Sequence, residues 1–370
     1  MATIDDVAKA AQVSTSTVSY VLSGKRPISA PTKARVEKAI KELGYRPHAG
    51  ARALASSQTN VLALIAPLRA AVNVNVIMQF VTGVVQAARS YEYDVLLLTQ
   101  EDAGGIDRVA NGSMVDAVIA MDVEEDDERI PALQAARQPA ILIGLPRDSG
   151  GLSCVDLDFH AAGTQAVRHL AALGHKHIGL LGSDHAVWER HTSFLERLLT
   201  GARSEATQRK VELTALPCAS SEVGAKAAVD ELFEQSPRIT GIVVHNEQAL
   251  PHIMARLREL SLSVPEEISV VALCPQDIAL AQPIPLTSVD LPAVSIGRAA
   301  VEMAMSRLSS EQPAETRLVA AVLTERGTTA PAHKRSVRVT RPTAPDTAAT
   351  ATAQAPAPAV PAQAVPNDYR

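Results

Sequence analysis

The sequence predicts an all-α head followed by an α/β body of two lobes. Residues 1–60 contain only helical patterns separated by short breaks, whereas residues 61 to about 330 alternate Val/Ile/Leu-rich runs with amphipathic segments. Uninterrupted apolar runs between helices indicate parallel strands that are covered on both faces. Ten such runs are many for one sheet, so we expect two lobes, each built on its own sheet.

Three short helices account for the head. The first begins at Thr3, the second follows Ser14, and the third begins at Ser29 and ends at Gly44. Hydroxyl residues favour helix N-caps and glycine favours the position after a helix, so these residues mark the expected helix boundaries. The apolar residues that we expect to face inward are Ile4, Val7, Ala8, Val13, Val18, Val21, Leu22, Val36, Ala39, Ile40 and Leu43.

The charge of the chain is unevenly distributed. The whole chain has a formal charge of −5, but residues 1–60 carry nine Lys or Arg against four Asp or Glu. This segment therefore has a charge of +5, and the remainder has −10. A basic head on an acidic body indicates a head that binds a polyanion, although a solvated surface gives the same pattern.

Other compositional features exclude several classes of protein. Cys154, Cys218 and Cys274 are far apart and odd in number, which fits neither a zinc site nor a disulfide framework. The N-terminus lacks the apolar core of a signal peptide, and no run approaches the roughly 18 apolar residues of a membrane span. We therefore expect a soluble cytoplasmic protein.

The body and the C-terminus differ in composition. The expected strands are VLALIAP, DVLLLT, VDAVIAM, AILIGL, SCVDLD, HIGLLG, VELTALP, TGIVVH, ISVVAL and LTSVD. After Pro331 the chain becomes rich in Ala, Pro and Thr, a composition typical of disorder. The basic run HKRSVRVTR could touch nucleic acid, or the tail could be inert. We thus expect a head over 1–46, a hinge over 47–60, a body over 61–330 and a disordered tail over 331–370.

The stretch VSTSTVSYVL, residues 13–22, has Ser or Thr at five of ten positions. Such side chains compete for backbone hydrogen bonds and usually weaken a helix. A helix pair joined by a turn at AQVS, with a basic third helix, nevertheless matches a helix-turn-helix. In that motif the second helix enters the major groove by its N-terminal end, where short hydroxyls can bond to phosphates and base edges. The composition indicates a helix suited to DNA.

The segments TIDDVAKAAQVSTSTVSYVLSG and TKARVEKAIKELGYRPHAGARALAS resemble the head of the lactose-repressor (LacI/GalR) family of bacterial transcription regulators. The match covers residues 2–60 and includes TVS, LGYRP and the Ala/Leu hinge. DLDFHAAGTQAVRHLAALGHKHIGLLG resembles the signature segment of the domain that follows in this family. The resemblance, which extends to about residue 330, implies a helix-turn-helix head and a two-lobed, periplasmic-binding-protein-like effector and dimerisation domain.

The resemblance implies particular DNA contacts in the head. Thr15, Ser16 and Tyr20 occupy the positions that face base edges, and the family often has Arg where this chain has Tyr20. The preferred operator half-site is therefore expected to differ from the commonest one. The expected phosphate contacts of the head are Ser14, Thr17, Ser19 and Thr32, of which Ser14 could also be only a helix cap and Thr17 only a packed turn.

HAGARALAS resembles the hinge helix of the family, which forms when the dimer meets DNA. Leu54 is the expected wedge between the central base steps, where it would kink the duplex from the minor groove. His48 stands where the family usually has Asn, so a contact of this residue with phosphate would be sensitive to pH. The alternative is that this segment is only a flexible linker rich in alanine, which is also how a hinge of this kind would look without DNA.

Effector residues are expected in the cleft, at the carboxyl ends of the strands. Asn246 and Glu247 follow TGIVVH where the family typically has Asn-Asp, and Arg197, with Arg190 as a rival, matches its pocket arginine. Cys274 stands where the family often has Asp, and Asp277 follows three residues later. Trp188 could stack on a sugar or pack on the lobe. Asn73 and Asn75 are further candidates, although they could be loop caps.

These patterns predict a dimeric transcriptional regulator that binds a pseudo-palindromic operator and represses transcription. We expect a saccharide in the cleft to control it. No catalytic motif appears in the sequence, and no cofactor is expected. Six histidines crowd one stretch and suggest a metal, but two of them fit a structural segment of the family and no carboxylate or Cys completes a site, so no metal is expected. The six are His160, His169, His175, His177, His185 and His191, and the two are His169 and His175. We expect the regulator on nucleoid DNA. Two alternatives stay open: a degenerate pocket controlled by a protein partner or a phosphorylated metabolite, and a binding protein or enzyme whose head only mediates assembly.

Overall fold

The computed structural model of the protein describes residues 2–23, 26–45, 58–69, 72–99, 106, 108, 114–310 and 312–333. The expected hinge, 47–60, and the expected tail, 331–370, fall largely outside these ranges. Within them, no helix is long and apolar enough to cross a membrane.

Helices and strands alternate after the head. The helices are α1 (Ile4–Ala11), α2 (Thr15–Ser23), α3 (Ala30–Leu43), α4 (Val74–Ser90), α5 (Ile130–Ala135), α6 (Phe159–Ala172), α7 (His185–Glu189), α8 (Ser193–Arg209), α9 (Glu222–Gln235), α10 (Leu250–Glu259), α11 (Gln276–Leu280) and α12 (Ala293–Ser309). The strands are β1 (Val61–Ile65), β2 (Asp94–Leu98), β3 (Ala117–Ala120), β4 (Ala140–Ile143), β5 (Ser153–Leu157), β6 (His177–Leu181), β7 (Glu212–Leu216), β8 (Gly241–Val244), β9 (Ser269–Cys274), β10 (Thr287–Asp290), β11 (Thr316–Val319) and β12 (Leu323–Thr324).

Helices α1, α2 and α3 pack around a small apolar core in the head. Val7, Val18 and Val36, one from each helix, are fully buried in it. Leu43, which the sequence predicted to face inward, is 40% exposed. Tyr45, just beyond the end of α3, packs against the core instead.

The ends of α1 and α3 agree with the predicted capping residues. The Thr3 hydroxyl accepts a hydrogen bond from the Asp6 N–H at 3.3 Å, and the Asp6 carboxylate accepts one from the Thr3 N–H at 2.9 Å. This reciprocal pair is a capping box. Gly44 ends α3 with φ +58°, a left-handed conformation that glycine adopts without steric cost.

The body contains two sheets, as the sequence predicted, and each has six strands. The first has the order β11-β5-β4-β3-β1-β2 and is parallel throughout. The second has the order β12-β10-β9-β8-β6-β7 and is parallel except for the antiparallel edge strand β12. All ten expected strands are present, whereas β11 and β12 were not predicted.

The chain crosses between the lobes after β5, after β10 and after β11. Helix α6 follows β5 of the first sheet but packs on β8, β9 and β10 of the second. Helix α12 follows β10 of the second sheet but packs on β3, β4 and β5 of the first. The crossovers after β5 and β10 thus each give one lobe a helix that continues the other lobe's chain, and the crossover after β11 adds the edge strand β12 to the second sheet.

Candidate functional site

The N-terminal end of α2 carries a network of hydroxyls. The Ser14 hydroxyl accepts a hydrogen bond from the Thr17 N–H at 3.2 Å, so Ser14 caps the helix. The same hydroxyl lies 2.9 Å from the Ser16 hydroxyl and 2.8 Å from that of Thr17. Thr15 and Ser16 are exposed. Short donors and acceptors therefore face outward at this helix end, where unpaired backbone N–H groups also favour anions.

The remaining candidate contacts of the head flank this helix end. Tyr20 and Ser19 are half-buried, and the Arg26 guanidinium lies over the Tyr20 ring at 5.7 Å from its centroid. This cation–π contact places a basic group beside the phenol. At the start of α3, the Ser29 hydroxyl donates to the Thr32 hydroxyl at 2.9 Å. His48 and Leu54 of the expected hinge lie outside the described residues.

A cavity of about 150 Å³ lies at the carboxyl ends of the strands of both sheets. Its lining is mainly apolar and includes Phe80, Phe159 and Phe194. The polar residues of the lining are Asn73, Asp122, Asp156, Ser183, Ser193, His245, Asn246, Glu247 and Gln248. Ligand sites of open α/β folds occupy this edge of the sheets, because the loops after the strands converge there.

Asp122, shortly after β3, belongs to a network of charges that joins the lobes. Its carboxylate lies 2.9 Å from Arg69 of the first lobe and 3.1 Å from Arg190 of the second. Both arginines also contact Glu124, at 3.1 and 3.2 Å. Burial raises the pKa of Asp122 to about 6, although the neighbouring Arg69 and Arg129 oppose this shift.

Asp156, on β5, forms the second buried ion pair of the cleft. Its carboxylate accepts a hydrogen bond from the Arg197 guanidinium, which also lies 5.5 Å from the centroid of the Phe159 ring. Burial raises the pKa of Asp156 to about 6, against the lowering effect of Arg197. Arg197 itself is not part of the cavity lining, so it holds a lining carboxylate from behind.

Three rings meet in the cavity wall. The centroid of the His245 ring lies 6.1 Å from Phe159 and 5.6 Å from Phe194, with edge-on geometry, and the two phenylalanines are 5.6 Å apart. Burial lowers the pKa of His245 to about 4, so its imidazole is neutral at neutral pH. The ring cluster is therefore an aromatic wall that carries no charge at neutral pH.

Asn73 and Glu247 face each other from opposite lobes. The Asn73 side chain accepts a hydrogen bond from the Asn75 N–H at 3.1 Å, which caps α4, and also donates to the Glu247 carboxylate. Burial raises the pKa of Glu247 to about 7. The neighbouring Asn246 turns its amide toward its own lobe, where it donates to the Cys218 carbonyl at 2.7 Å.

The structure brings Asn73, Asn246 and Glu247 together in the cavity lining and places Arg190 and Arg197 on its carboxylates. The other candidate effector residues are not among the lining residues. Asn75 is exposed, Asp277 accepts hydrogen bonds from Gln79, Cys274 is buried in the core of the second lobe, and Trp188 packs beside Gly182.

Two lining aspartates were not predicted from the sequence. Asp122 closely follows an apolar strand and Asp156 lies near the end of another, so strand-end position was the signal that could have identified them. Ser193 was also missed: its hydroxyl is buried and has no hydrogen-bond partner among the described residues.

His169 and His175, two of the crowded histidines, form hydrogen bonds with hydroxyl groups. The two ring nitrogens of His175 lie 2.8 Å from the Thr240 hydroxyl and 3.0 Å from that of Ser269. His169 lies 3.0 Å from the Thr329 hydroxyl. In the part of the chain that the structure describes, no group of three or more His, Cys, Asp or Glu could hold a metal ion.

Two family profiles match the chain. Residues 3–48 match the bacterial regulatory proteins of the lacI family, and residues 167–329 match the periplasmic binding protein-like domain. The chain is 26% identical to catabolite control protein A of Priestia megaterium over 324 residues, which cover 84% of this chain and 93% of that protein. It is 28% identical to the HTH-type transcriptional regulator CelR of Thermobifida fusca over 338 residues, which cover 86% and 95%.

Solved structures show the same fold. The lac repressor dimer bound to operator and the anti-inducer ONPF aligns with a TM-score of 0.76 at 22% identity, over 89% of this chain and 99% of that one. The CelR–cellobiose complex aligns with a TM-score of 0.63 at 24% identity, over 89% and 100%. Residues 3–48 thus match a lacI-type DNA-binding domain and residues 167–329 a periplasmic-binding-protein-like domain, and the chain aligns with transcriptional regulators over nearly their whole length.

Proposed function

We propose that this regulator is a repressor that binds a pseudo-palindromic operator as a homodimer and is released or retained there by a small molecule in the cleft. The proposal rests chiefly on the exposed hydroxyls at the start of α2, which lie on a basic head. Relatives named as repressors, such as PurR of Vibrio atlanticus at 28% identity, support repression of transcription rather than its activation. Such a protein would act on nucleoid DNA in the cytoplasm.

The DNA contacts divide into two kinds. Thr15, Ser16 and Tyr20 would contact base edges in the major groove, and Leu54 would enter the minor groove at the centre of the operator. The residues that would contact the backbone and set the register are Ser14, Thr17, Ser19, Thr32 and His48. The exposure of Thr15 and Ser16 at the start of α2 supports the assignments on this helix.

The effector would bind in the cavity between the lobes. Asn73, Asn246 and Glu247 line it, while Arg190 and Arg197 orient the lining aspartates. A saccharide is the class that the CelR–cellobiose complex supports. Since Arg190 of one lobe pairs with Asp122 of the other, a ligand between them would change the angle of the lobes and thereby the spacing of the two hinges in the dimer.

Sequence-selective DNA binding is the first test. The affinity of the full chain for duplexes from the promoter beside its own gene would be measured by fluorescence anisotropy across a salt series. We expect one duplex to bind at least ~10³-fold more tightly than a scrambled one, and its affinity to fall steeply with salt. Ser16→Ala should weaken this preference, whereas Ser204→Ala, an exposed serine of α8, serves as the control. Equal affinity for the scrambled duplex would contradict the proposal.

A further inference from the structure

The carboxylates that line the cavity differ in whether a cation is paired with them. Two of its three carboxylates, Asp122 and Asp156, are paired with arginines that stand behind the lining. Glu247 is the third, and no ion pair formed among the described residues involves it; its side-chain partner is Asn73. The cavity thus contains one carboxyl group without a cation among the described residues.

Glu247 is well placed to bind a cation. It retains some exposed surface on the cavity side, yet the surrounding protein desolvates it enough to raise its pKa to about 7. Leaving a desolvated carboxylate without a cation is costly, and a positive charge within reach recovers much of that cost. Asn73 holds the carboxylate in place, because its own orientation is fixed by capping α4.

The rest of the lining also favours a positive ligand over a negative one. Phe80 and Phe194 contribute aromatic rings to the lining, and aromatic rings attract cations. The ring of Phe159 already has the Arg197 guanidinium over it. His245 is neutral, and among the described residues no Lys or Arg is part of the lining. A phosphate or carboxylate ligand would therefore meet the Glu247 carboxylate, which has no compensating cation among the described residues.

The volume of the cavity and its remaining polar groups restrict the class of ligand further. An apolar cavity of about 150 Å³ accepts a molecule of roughly benzene size, which is one ring. The buried Ser193 hydroxyl, which has no hydrogen-bond partner among the described residues, offers a further contact to a polar substituent of that ring.

We propose that the effector of this cleft is a compact ring that carries a protonated amine, such as an amino sugar or a cyclic amine, and that the Glu247 carboxylate binds the ammonium. The inference rests on the proposed function, since it names the ligand class of the same cleft. It also distinguishes this chain from a regulator that responds to phosphorylated metabolites.

Matched probes test the proposal. The affinities of the full chain for cyclohexylamine and cyclohexanol, and for glucosamine and glucose, would be measured by calorimetry at neutral pH, with glucose 6-phosphate as the anionic probe. We expect at least one amine to bind at least tenfold more tightly than its neutral counterpart, and glucose 6-phosphate to bind more weakly than glucose. Glu247→Gln should remove the preference for the amine, whereas Glu247→Asp, which keeps the charge, should retain part of it.

Glu222→Gln, which removes a surface carboxylate of the same lobe, is the matched control and should leave the amine preference unchanged. If neither amine binds more tightly than its neutral counterpart, or if Glu247→Gln keeps the preference, the proposal is overturned. Operator affinity without any probe is measured in parallel, so that a failure of DNA binding is recognised as a failure of the proposed function.

Discussion

His245 illustrates how a single buried residue couples the cleft to pH. Its ring packs edge-on against Phe159 and Phe194 and is nearly inaccessible to water, and this burial lowers its pKa to about 4. In the unfolded chain the imidazole has the ordinary histidine pKa of 6.5, so it binds a proton more readily there than in the folded protein. This residue's contribution to stability is therefore complete above about pH 6.5 and is lost as the pH falls toward 4.

His245→Phe should make the protein less sensitive to acid. Phenylalanine preserves the ring contacts but cannot be protonated, so wild type should lose roughly 2–3 kcal/mol more stability than the variant between about pH 6.5 and 4. Urea unfolding across this pH range measures the difference. Wild type and variant share all other titrating groups, so any difference in the pH dependence of their unfolding free energies comes from His245. If the two pH dependences are parallel, burial of His245 is not the cause of the acid sensitivity.

Tyr20 is the residue at which operator preference should be most easily changed. Tyr20→Arg introduces a side chain that can bond to both acceptors of a guanine in the major groove. We expect the preferred half-site to change toward guanine at one position, with about 1–3 kcal/mol of discrimination. Selection from random duplexes measures this change.

Thr32→Ala is the matched control for Tyr20→Arg, because a phosphate contact should affect all sequences equally. It should lower the affinity for every duplex and leave the preferred sequence unchanged. An unchanged base preference in Tyr20→Arg would place Tyr20 outside the base-reading surface.

At the scale of elements, pairs of glycines set the closest helix contacts. On α6 and α8, a Cβ at Gly163 would lie 2.2 Å from the Leu198 carbonyl oxygen, and one at Gly201 would lie 2.0 Å from that of His160. On α4 and α12, Gly83 and Gly297 face the other helix's backbone in the same way, at 2.1 and 2.3 Å. Both helix pairs therefore pack backbone against backbone, which no larger residue permits.

Gly201→Ala should destabilise the body, because the added methyl group forces α6 and α8 apart. We expect a loss of roughly 1–3 kcal/mol, typical of an overpacked core. The midpoint of urea unfolding, followed by circular dichroism, measures it. Ser204→Ala lies on the exposed side of the same helix and should change stability by less than about 0.5 kcal/mol. Equal stability of Gly201→Ala and wild type would mean that the helices separate without cost.

Elements with a local pattern could be predicted from the sequence. Each of the ten expected strands is an apolar or alternating run that pairs within one of the sheets, and Gly44 marks the end of α3. Strand β11 was missed because three of its four residues are exposed, and β12 because it has only two residues. Both are edge strands, and their conformation comes from pairing with distant strands rather than from their own composition.

At the scale of the whole molecule, the cleft could be only partly predicted. Asn73, Asn246 and Glu247 were identified as candidates because the family resemblance implies effector contacts on the loops that follow the strands at these positions. The pairing of Asp122 with Arg190 depends on the docking of two lobes whose residues are far apart in the chain, and no local pattern encodes it. The hydroxyl-rich stretch of α2, in contrast, is contiguous and lies beside its turn and the two flanking helices, so the helix-turn-helix could be recognised from a short segment of sequence.

Occupancy of the cleft is expected to change operator binding, and this coupling is the central claim. The most direct measurement is the Kd of the full chain for the duplex beside its own gene, at fixed salt, with and without mono- and disaccharides and the amine probes. We predict that at least one compound changes this Kd tenfold, about 1.4 kcal/mol of coupling, and that operator DNA changes the affinity for that compound by the same factor. Tight operator binding that no compound alters would contradict the claim and would point to a protein partner.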